Sequence, residues 1–291
     1  MKLLAKFNLV FIVVFGVGMA ILSYNAHTFL MTNARQQVLQ QAELMSASAS
    51  ATMNYTDQQV SPLLEKSERY KTTFLPQTIP FYAANTTFRL LRSSHPNYSL
   101  REAALNPTNP DDRAEAWEAD LIHYFRNNPG QEEHVGQRST PVGPFLYVAN
   151  PIVAEAGCMS CHSSPSAAPR AMVAHYGRDN GFGWTQGGVM GAQIVSVPMS
   201  VPIAIANQGF RNLLIGLGSV FLVTILLIDL AMYMIVIRPL RKVSKNADII
   251  SKGDVEMPPL EVRGRDEIAA VTASFNRMHT SLIKAFELLN G

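Results

Sequence analysis

The chain has 291 residues, of which 47% are hydrophobic and 16% charged, with a formal net charge of +2. Soluble proteins carry roughly 25% charged residues, so a simple soluble domain is excluded, and the plentiful Leu, Ile, Val and Phe exclude a disordered chain. The small net charge argues against nucleic acid as a partner, and two cysteines exclude a disulfide scaffold and a four-cysteine zinc site.

From Phe7 to about Leu30 an apolar run without a charged residue follows Lys2 and Lys6. A cleaved secretory signal would end in small residues, whereas Tyr24 sits three residues from the end of the candidate cleavage site before His27. The run is also longer than a usual signal core, which favours an uncleaved membrane helix. A second run, Leu213 to Ile237, holds Asp229 as its single charge and is followed by Arg238, Arg241, Lys242 and Lys245. A bilayer core needs about 20 apolar residues, and basic flanks stay cytoplasmic. Both termini are therefore expected inside, with residues 31–211 outside. Asp229 is expected to face a neighbouring helix or the headgroups rather than to serve a proton pathway.

Both cysteines fall in Cys158-Met159-Ser160-Cys161-His162. Two thiols three residues apart can reach the two vinyl groups of one porphyrin, and the adjacent imidazole can bind its iron. Cys158 and Cys161 are read as covalent tethers of one haem c and His162 as the proximal iron ligand. A thioredoxin-like redox pair would sit at a helix start in a βαβ unit, but the approach Gly143 to Val153 reads as a strand; a zinc site would need further ligands. The sixth ligand stays open. Met45 and Met53, about 80° apart on an expected helix over residues 32–64, are candidates beside His175 and His123, as is an open or water-filled position.

The remaining outer segment reads as mixed α and β. Trp117, Leu121, Ile122 and Phe125 recur at helical offsets in Asp111 to Arg126, with acids near its start. Pro141 to Val153 and Val189 to Pro198 read as antiparallel strands joined by the cysteine-bearing loop with short helices. The ordered pieces Asn106-Pro107-Thr108-Asn109-Pro110, Trp117-Glu118, Phe125-Arg126, the Cys158–His162 motif, Gly181-Phe182-Gly183-Trp184 and Gly191-Ala192-Gln193-Ile194 resemble the PAS-like c-type haem family of sensor domains. Tyr55-Thr56 and Pro62-Leu63-Leu64 are similar to its entry helix. The resemblance spans about residues 35 to 200 and implies a PAS-like sheet, one covalent haem, and a periplasmic location in a bacterial inner membrane protein.

Beyond the second apolar run, Arg238-Pro239-Leu240 opens a helix expected to reach about Ser251. A Gly253 break and a Pro258-Pro259 connector lead to Arg265-Asp266-Glu267-Ile268. Ile268, Val271, Phe275, Met278, Leu282, Ala285 and Leu289 then step by three and four, a heptad seam that wants a partner helix. Pro239, Asp266, Glu267, Phe275, Asn276 and Met278 resemble the usual residues of a HAMP linker. That resemblance implies a parallel four-helix bundle made by two chains, hence a homodimer.

The expected fold class is α+β: a first membrane helix (residues 1–30), a PAS-like haem domain (31–211), a second membrane helix (212–237) and an all-α HAMP coiled-coil domain (238–291). The expected function is non-enzymatic, a haem c sensor of redox state or a small ligand that relays through the HAMP bundle to a cytoplasmic signalling protein in trans. The rival is a membrane-anchored cytochrome. A haem peroxidase would need a distal acid-base residue, and the sequence offers no identifiable one.

Overall fold

Alternating side chains over four segments build one antiparallel sheet: β1 (Ser99–Ala104), β2 (His134–Thr140), β3 (Gly143–Val153) and β4 (Val189–Pro198), in the order β1-β4-β3-β2. The fold is taken from a computed structural model that describes residues 3–290. Lys2 and the side chain of Leu289 lie outside the described residues.

With a side-chain period of two, each strand serves both faces of the sheet. Leu100, Leu146, Val148, Val195 and Val197 face one side, covered by Val38, Ala42 and Ala49 of α1 (Leu3–Tyr55) and by Ala84 and Phe88 of α4 (Pro80–Arg92). Ala103, Ala149, Ala192 and Ile194 face the other, covered by Leu121, Ile122 and Phe125 of α5 (Ala116–Asn127). Each fully buried Val, Leu, Ile or Phe contributes about 1.5–3 kcal/mol, so these two layers are the main source of the domain's stability. Two short helices, α2 (Ser61–Glu65) and α3 (Glu68–Thr72), lead from α1 towards α4. The β3–β4 connection carries α6 (Met159–His162) and α7 (Arg170–Tyr176). The expected antiparallel pair and its short-helix connection are therefore present, while β1, β2 and α4 were not foreseen.

Two expectations about helices need correction. Helix α5 begins at Ala116, not Asp111, because Pro110–Asp112 forms a separate 3-10 turn. Arg101 holds that turn away from the helix: its guanidinium donates to the carbonyls of Asp111 at 2.9 Å and Arg113 at 3.1 Å, and to both Glu118 oxygens at 3.2 Å. Glu118 also accepts from the Glu115 amide at 2.8 Å, within a reciprocal Glu115–Glu118 capping box that starts the helix there. The single helix expected over residues 32–64 is interrupted by a π turn at Thr56–Val60. A second π turn, Tyr233–Ile237, follows α8 (Ser200–Met232). Each ends two residues before a proline, Pro62 or Pro239. A proline has no N–H and its ring crowds the preceding turn, which widens the ladder there. Ser61 Oγ donates to the Thr56 carbonyl at 3.0 Å and to the Thr78 carbonyl at 2.7 Å, supplying a partner at the first turn.

Residues Ala26–Phe210 form one compact unit. The other joins Met1–Asn25 to Arg211–Gly291. Two of the helices are long and apolar enough to cross a membrane. Within the second unit Asn8 Nδ2 donates to Asp229 Oδ2 at 3.0 Å, and Phe15 packs on Phe221 at 4.9 Å. Asp229 thus faces a partner helix, as its cost in lipid requires. In the same unit α9 (Arg238–Ser251) stops at Gly253, whose φ of +99° suits glycine, and α10 (Glu267–Asn290) is capped by Asp266 Oδ1 accepting from the Ala269 amide at 2.8 Å. The connector between them is clamped by Asn276, which donates to the Leu260 carbonyl at 2.7 Å and accepts from its amide at 2.9 Å. Phe275 of the expected seam is buried and Ile268 half-buried, whereas Val271, Met278, Leu282 and Ala285 are exposed on the single chain.

Glu118→Ala removes the helix cap and leaves Arg101 without its carboxylate, so chemical denaturation of the full chain is expected to show a loss of about 3 kcal/mol. Arg101→Met should cost at least as much, since it leaves the Glu118 carboxylate, 2% exposed against 37% for Arg101, buried without its cation.

Candidate functional site

His162 closes α6, and three distant segments converge on it. Its Nδ1 lies 2.7 Å from the Gly181 carbonyl oxygen and 3.4 Å from Thr108 Oγ1. A carbonyl can only accept, so Nδ1 carries the proton and the Nε2 lone pair is left free for a ligand. Trp184 stacks on the imidazole at 4.0 Å with 10° between the planes. The main chain fixes the same approach: the amides of Gly183 and Trp184 donate to the carbonyls of Ser163 and His162, both at 3.2 Å. Gly181 is buried with φ +80°, and a Cβ there would meet Thr108 Oγ1 at 2.0 Å and its Cα at 2.8 Å. Only glycine brings the loop this close. Burial lowers the pKa of His162 and so favours the neutral imidazole, against the smaller opposing effect of its bond to Gly181.

Cys158 ends a 3-10 turn, Ala156–Cys158, and Cys161 follows within α6. Both are free thiols of intermediate burial. Residues three apart on helical backbone share a side, so both sulfurs are presented beside His162. The motif joins two antiparallel strands rather than opening the helix of a βαβ unit, which is not the setting of a thioredoxin-like pair. Among the described residues no group of three or more His, Cys, Asp and Glu could hold a metal ion.

Aromatic side chains gather near the motif. Tyr70 of α3 feels the charges of Glu65 and Cys161 after the larger effect of burial, all of which push its hydroxyl up. Phe74 stacks on His175 of α7 at 5.5 Å and meets Tyr176 edge-on at the same distance. Towards the sheet end from which the cysteine connection leaves, Glu102, Gln193 and Asn150 form a polar row across β1, β4 and β3. Glu102 Oε2 accepts from Asn85 Nδ2 of α4 at 2.8 Å, but Glu102 Oε1 and Gln193 Nε2 are buried without a partner among the described residues. Each unpartnered buried group costs about 1–3 kcal/mol. Burial, with a smaller contribution from Asp112, pushes the Glu102 carboxyl up to about 9.

The four candidates for a sixth ligand are scattered. Met45 and Met53 lie on α1, half-buried against the core that faces α1 and α4. His175 is exposed beside Phe74, and His123 is exposed on α5, on the far side of the sheet. Thr108, Gly181 and Trp184 stood in the sequence as unassigned pieces of a resemblance, and their convergence on one imidazole is a finding of the fold. Glu102 was missed, its signal being an acid in line with Leu100 on the apolar face of a strand, and Gln193 stood only as a piece of the resemblance without a role.

This arrangement of a small sheet domain with a histidine loop, followed by a clamped helical pair, agrees with the comparisons with known proteins. The family model for Tll0287-like proteins matches residues 31–198, and that for the HAMP domain matches residues 231–284. The chain belongs to the Tll0287-like family and carries a HAMP domain after its second apolar helix. Among solved structures, the cyanobacterial heme-protein Tll0287 aligns with 17% identity and a TM-score of 0.40, over 52% of this chain and 93% of that one. No curated protein matches the chain.

A carboxyl near 9 when folded and at an ordinary 4.5 when exposed takes up a proton on folding between those pH values. Stability from this group is therefore fully present below about pH 4.5 and lost as pH rises towards 9. Thermal melts from pH 5 to 9 should show the midpoint falling in the wild type and falling less in Glu102→Gln; parallel curves would contradict the assignment.

Proposed function

We propose that the chain is a two-pass bacterial inner membrane sensor whose periplasmic domain, residues 31–211, holds one covalent haem c and signals through its cytoplasmic HAMP domain, residues 238–291. The observation that carries the reading is His162, held by Gly181 through Nδ1 with Nε2 free, beside two thiols on the same short helix. The donor set fits the group. Cys158 and Cys161 would hold it by adding their S–H bonds across its two vinyl groups, which gives thioethers without net oxidation, and His162 Nε2 would be its proximal ligand. When bound, the group would supply a one-electron iron couple, and Met45, Met53, His175, His123 or an external ligand would be the candidates for a second iron ligand. Trp184 and the Gly181 carbonyl orient the imidazole, and the carbonyl raises its basicity as a ligand.

The HAMP match favours a sensor over a plain electron carrier. A signal shifts a two-state relay only by its differential affinity for the states, and a tenfold shift requires about 1.4 kcal/mol. The exposed side chains of Val271, Met278 and Leu282 are the surface on which a second copy of the chain completes the bundle. Homodimerisation through this seam makes α10 the moving part, and the receiver is a cytoplasmic signalling protein.

Cys161→Ala should leave a single thioether and shift the alkaline pyridine haemochrome band; a spectrum identical to wild type, or colourless protein from a strain that matures c-type cytochromes, would remove the haem c assignment. Replacement of each candidate ligand in turn should abolish a methionine–iron charge-transfer band only if Met45 or Met53 is the ligand. Disulfide cross-linking of Val271→Cys and Met278→Cys dimers should change when the iron is reduced or ligated, and identical patterns in all states, with fast exchange with a soluble cytochrome, would favour the electron carrier.

A further inference from the structure

Helix α5 packs on β4, β1 and β3, leaving a cleft of about 400 Å³ between its side and the β2–β3 hairpin. This cleft lies on the sheet face opposite α1 and α4 and apart from His162. Its walls are aromatic. Trp117 and Tyr147 have ring centroids 5.6 Å apart, Tyr124 and His134 4.6 Å, and His134 and Tyr147 6.1 Å. Tyr147 is paired across the hairpin with Gly136, and a Cβ at 136 would fall 2.3 Å from the tyrosine oxygen, so the ring lies over the glycine as a floor.

Two charges line the same cleft without neutralising each other. The Arg138 guanidinium sits 4.5 Å above the Trp117 ring, and its carboxylate neighbour is Glu115, 4.0 Å away and exposed. Asp120 is one helical turn beyond Trp117, on the same side of α5, and among the described residues it takes part in no ion pair. The volume falls within the range of small-molecule sites, which are apolar or aromatic with a few polar groups that fix orientation. Aromatic walls select a planar ring, and a cation and an anion at separate points select a ligand bearing both charges.

We propose that this cleft binds a small zwitterionic aromatic compound, an aromatic α-amino acid in the simplest form. The ring packs against Trp117 and Tyr147, the carboxylate pairs with Arg138 and the ammonium with Asp120. The domain thereby has a second input besides the His162 site, and occupancy of the cleft presses on α5 and β3, both of which belong to the sheet core.

The test is calorimetric titration of the full-length haem-loaded protein in detergent with L-tryptophan, tryptamine and indole-3-propionate. The expected result is saturable binding of L-tryptophan with a dissociation constant on the order of 100 μM, and at least tenfold weaker binding of the two analogues lacking one charge. Arg138→Gln and Asp120→Asn should each weaken L-tryptophan tenfold or more with the haem absorption spectrum and circular dichroism unchanged. No saturable heat with wild type, equal affinity for the singly charged analogues, or unaltered affinity in both variants would overturn the proposal and leave Tyr147 as a ring that merely covers Gly136. The titration is read independently of the haem spectrum, so loss of haem binding and loss of this site are separate outcomes.

Discussion

The bond between His162 Nδ1 and the Gly181 carbonyl is the constraint around which the sheet domain's histidine loop is arranged. It sets the tautomer of one imidazole, and it requires a glycine at φ +80° lying against Thr108. Three segments far apart in sequence, 106–110, 158–162 and 181–184, are thereby tied to one ring. Trp184 completes the enclosure, and burial keeps the ring neutral. Without the carbonyl, the imidazole could present either nitrogen; with it, one nitrogen is committed to the scaffold and the other keeps its lone pair.

The scaffold that permits this closeness is electrostatic as well as apolar. Arg101 reaches from β1 to the carbonyls of Asp111 and Arg113 and to Glu118, so the segment after Thr108 cannot wind into α5 and instead stays beside the cysteine connection. On the other face of β1, Glu102 is held by Asn85 while one of its oxygens goes without a partner. The same strand therefore carries a satisfied ion pair on one face and an unsatisfied carboxyl on the other. The two faces of one strand thus carry polar groups in opposite states, paired under α5 and incompletely paired under α4.

The parts legible in the sequence were those governed by short-range pattern. Cys158-Met159-Ser160-Cys161-His162 is one helical turn, the strands Gly143–Val153 and Val189–Pro198 are runs of apolar and β-branched residues, and both apolar spans exceed the length of a bilayer core. The hidden parts depend on partners far away in the chain. Ser99–Ala104 contains Arg101 and Glu102 and has little β-propensity of its own; it becomes a strand because β4 pairs with it. His134–Thr140 is an edge strand with Gly136 in it, and only Tyr147 across the hairpin makes that glycine intelligible. Asp111 carries acids and helical periodicity, yet Arg101 removes it from the helix. The roles of Thr108 and Gly181 could not be read at all, because neither spacing nor propensity encodes a 54-residue contact.

The two π turns have a consequence for how the long helices are to be counted. A π turn takes up one more residue than the α-helical ladder, so every side chain after it is rotated by about 100° relative to the face it would otherwise continue. In Tyr233–Ile237 this phase slip falls at the end of the apolar span, just ahead of Arg238 and Pro239. The lipid-facing stripe upstream and the packed stripe of α9 are therefore not one stripe but two, with an angular offset written into the junction. An excised residue at that point would restore the regular ladder and turn α9 on its own axis, the same change in kind as a rotation imposed from above.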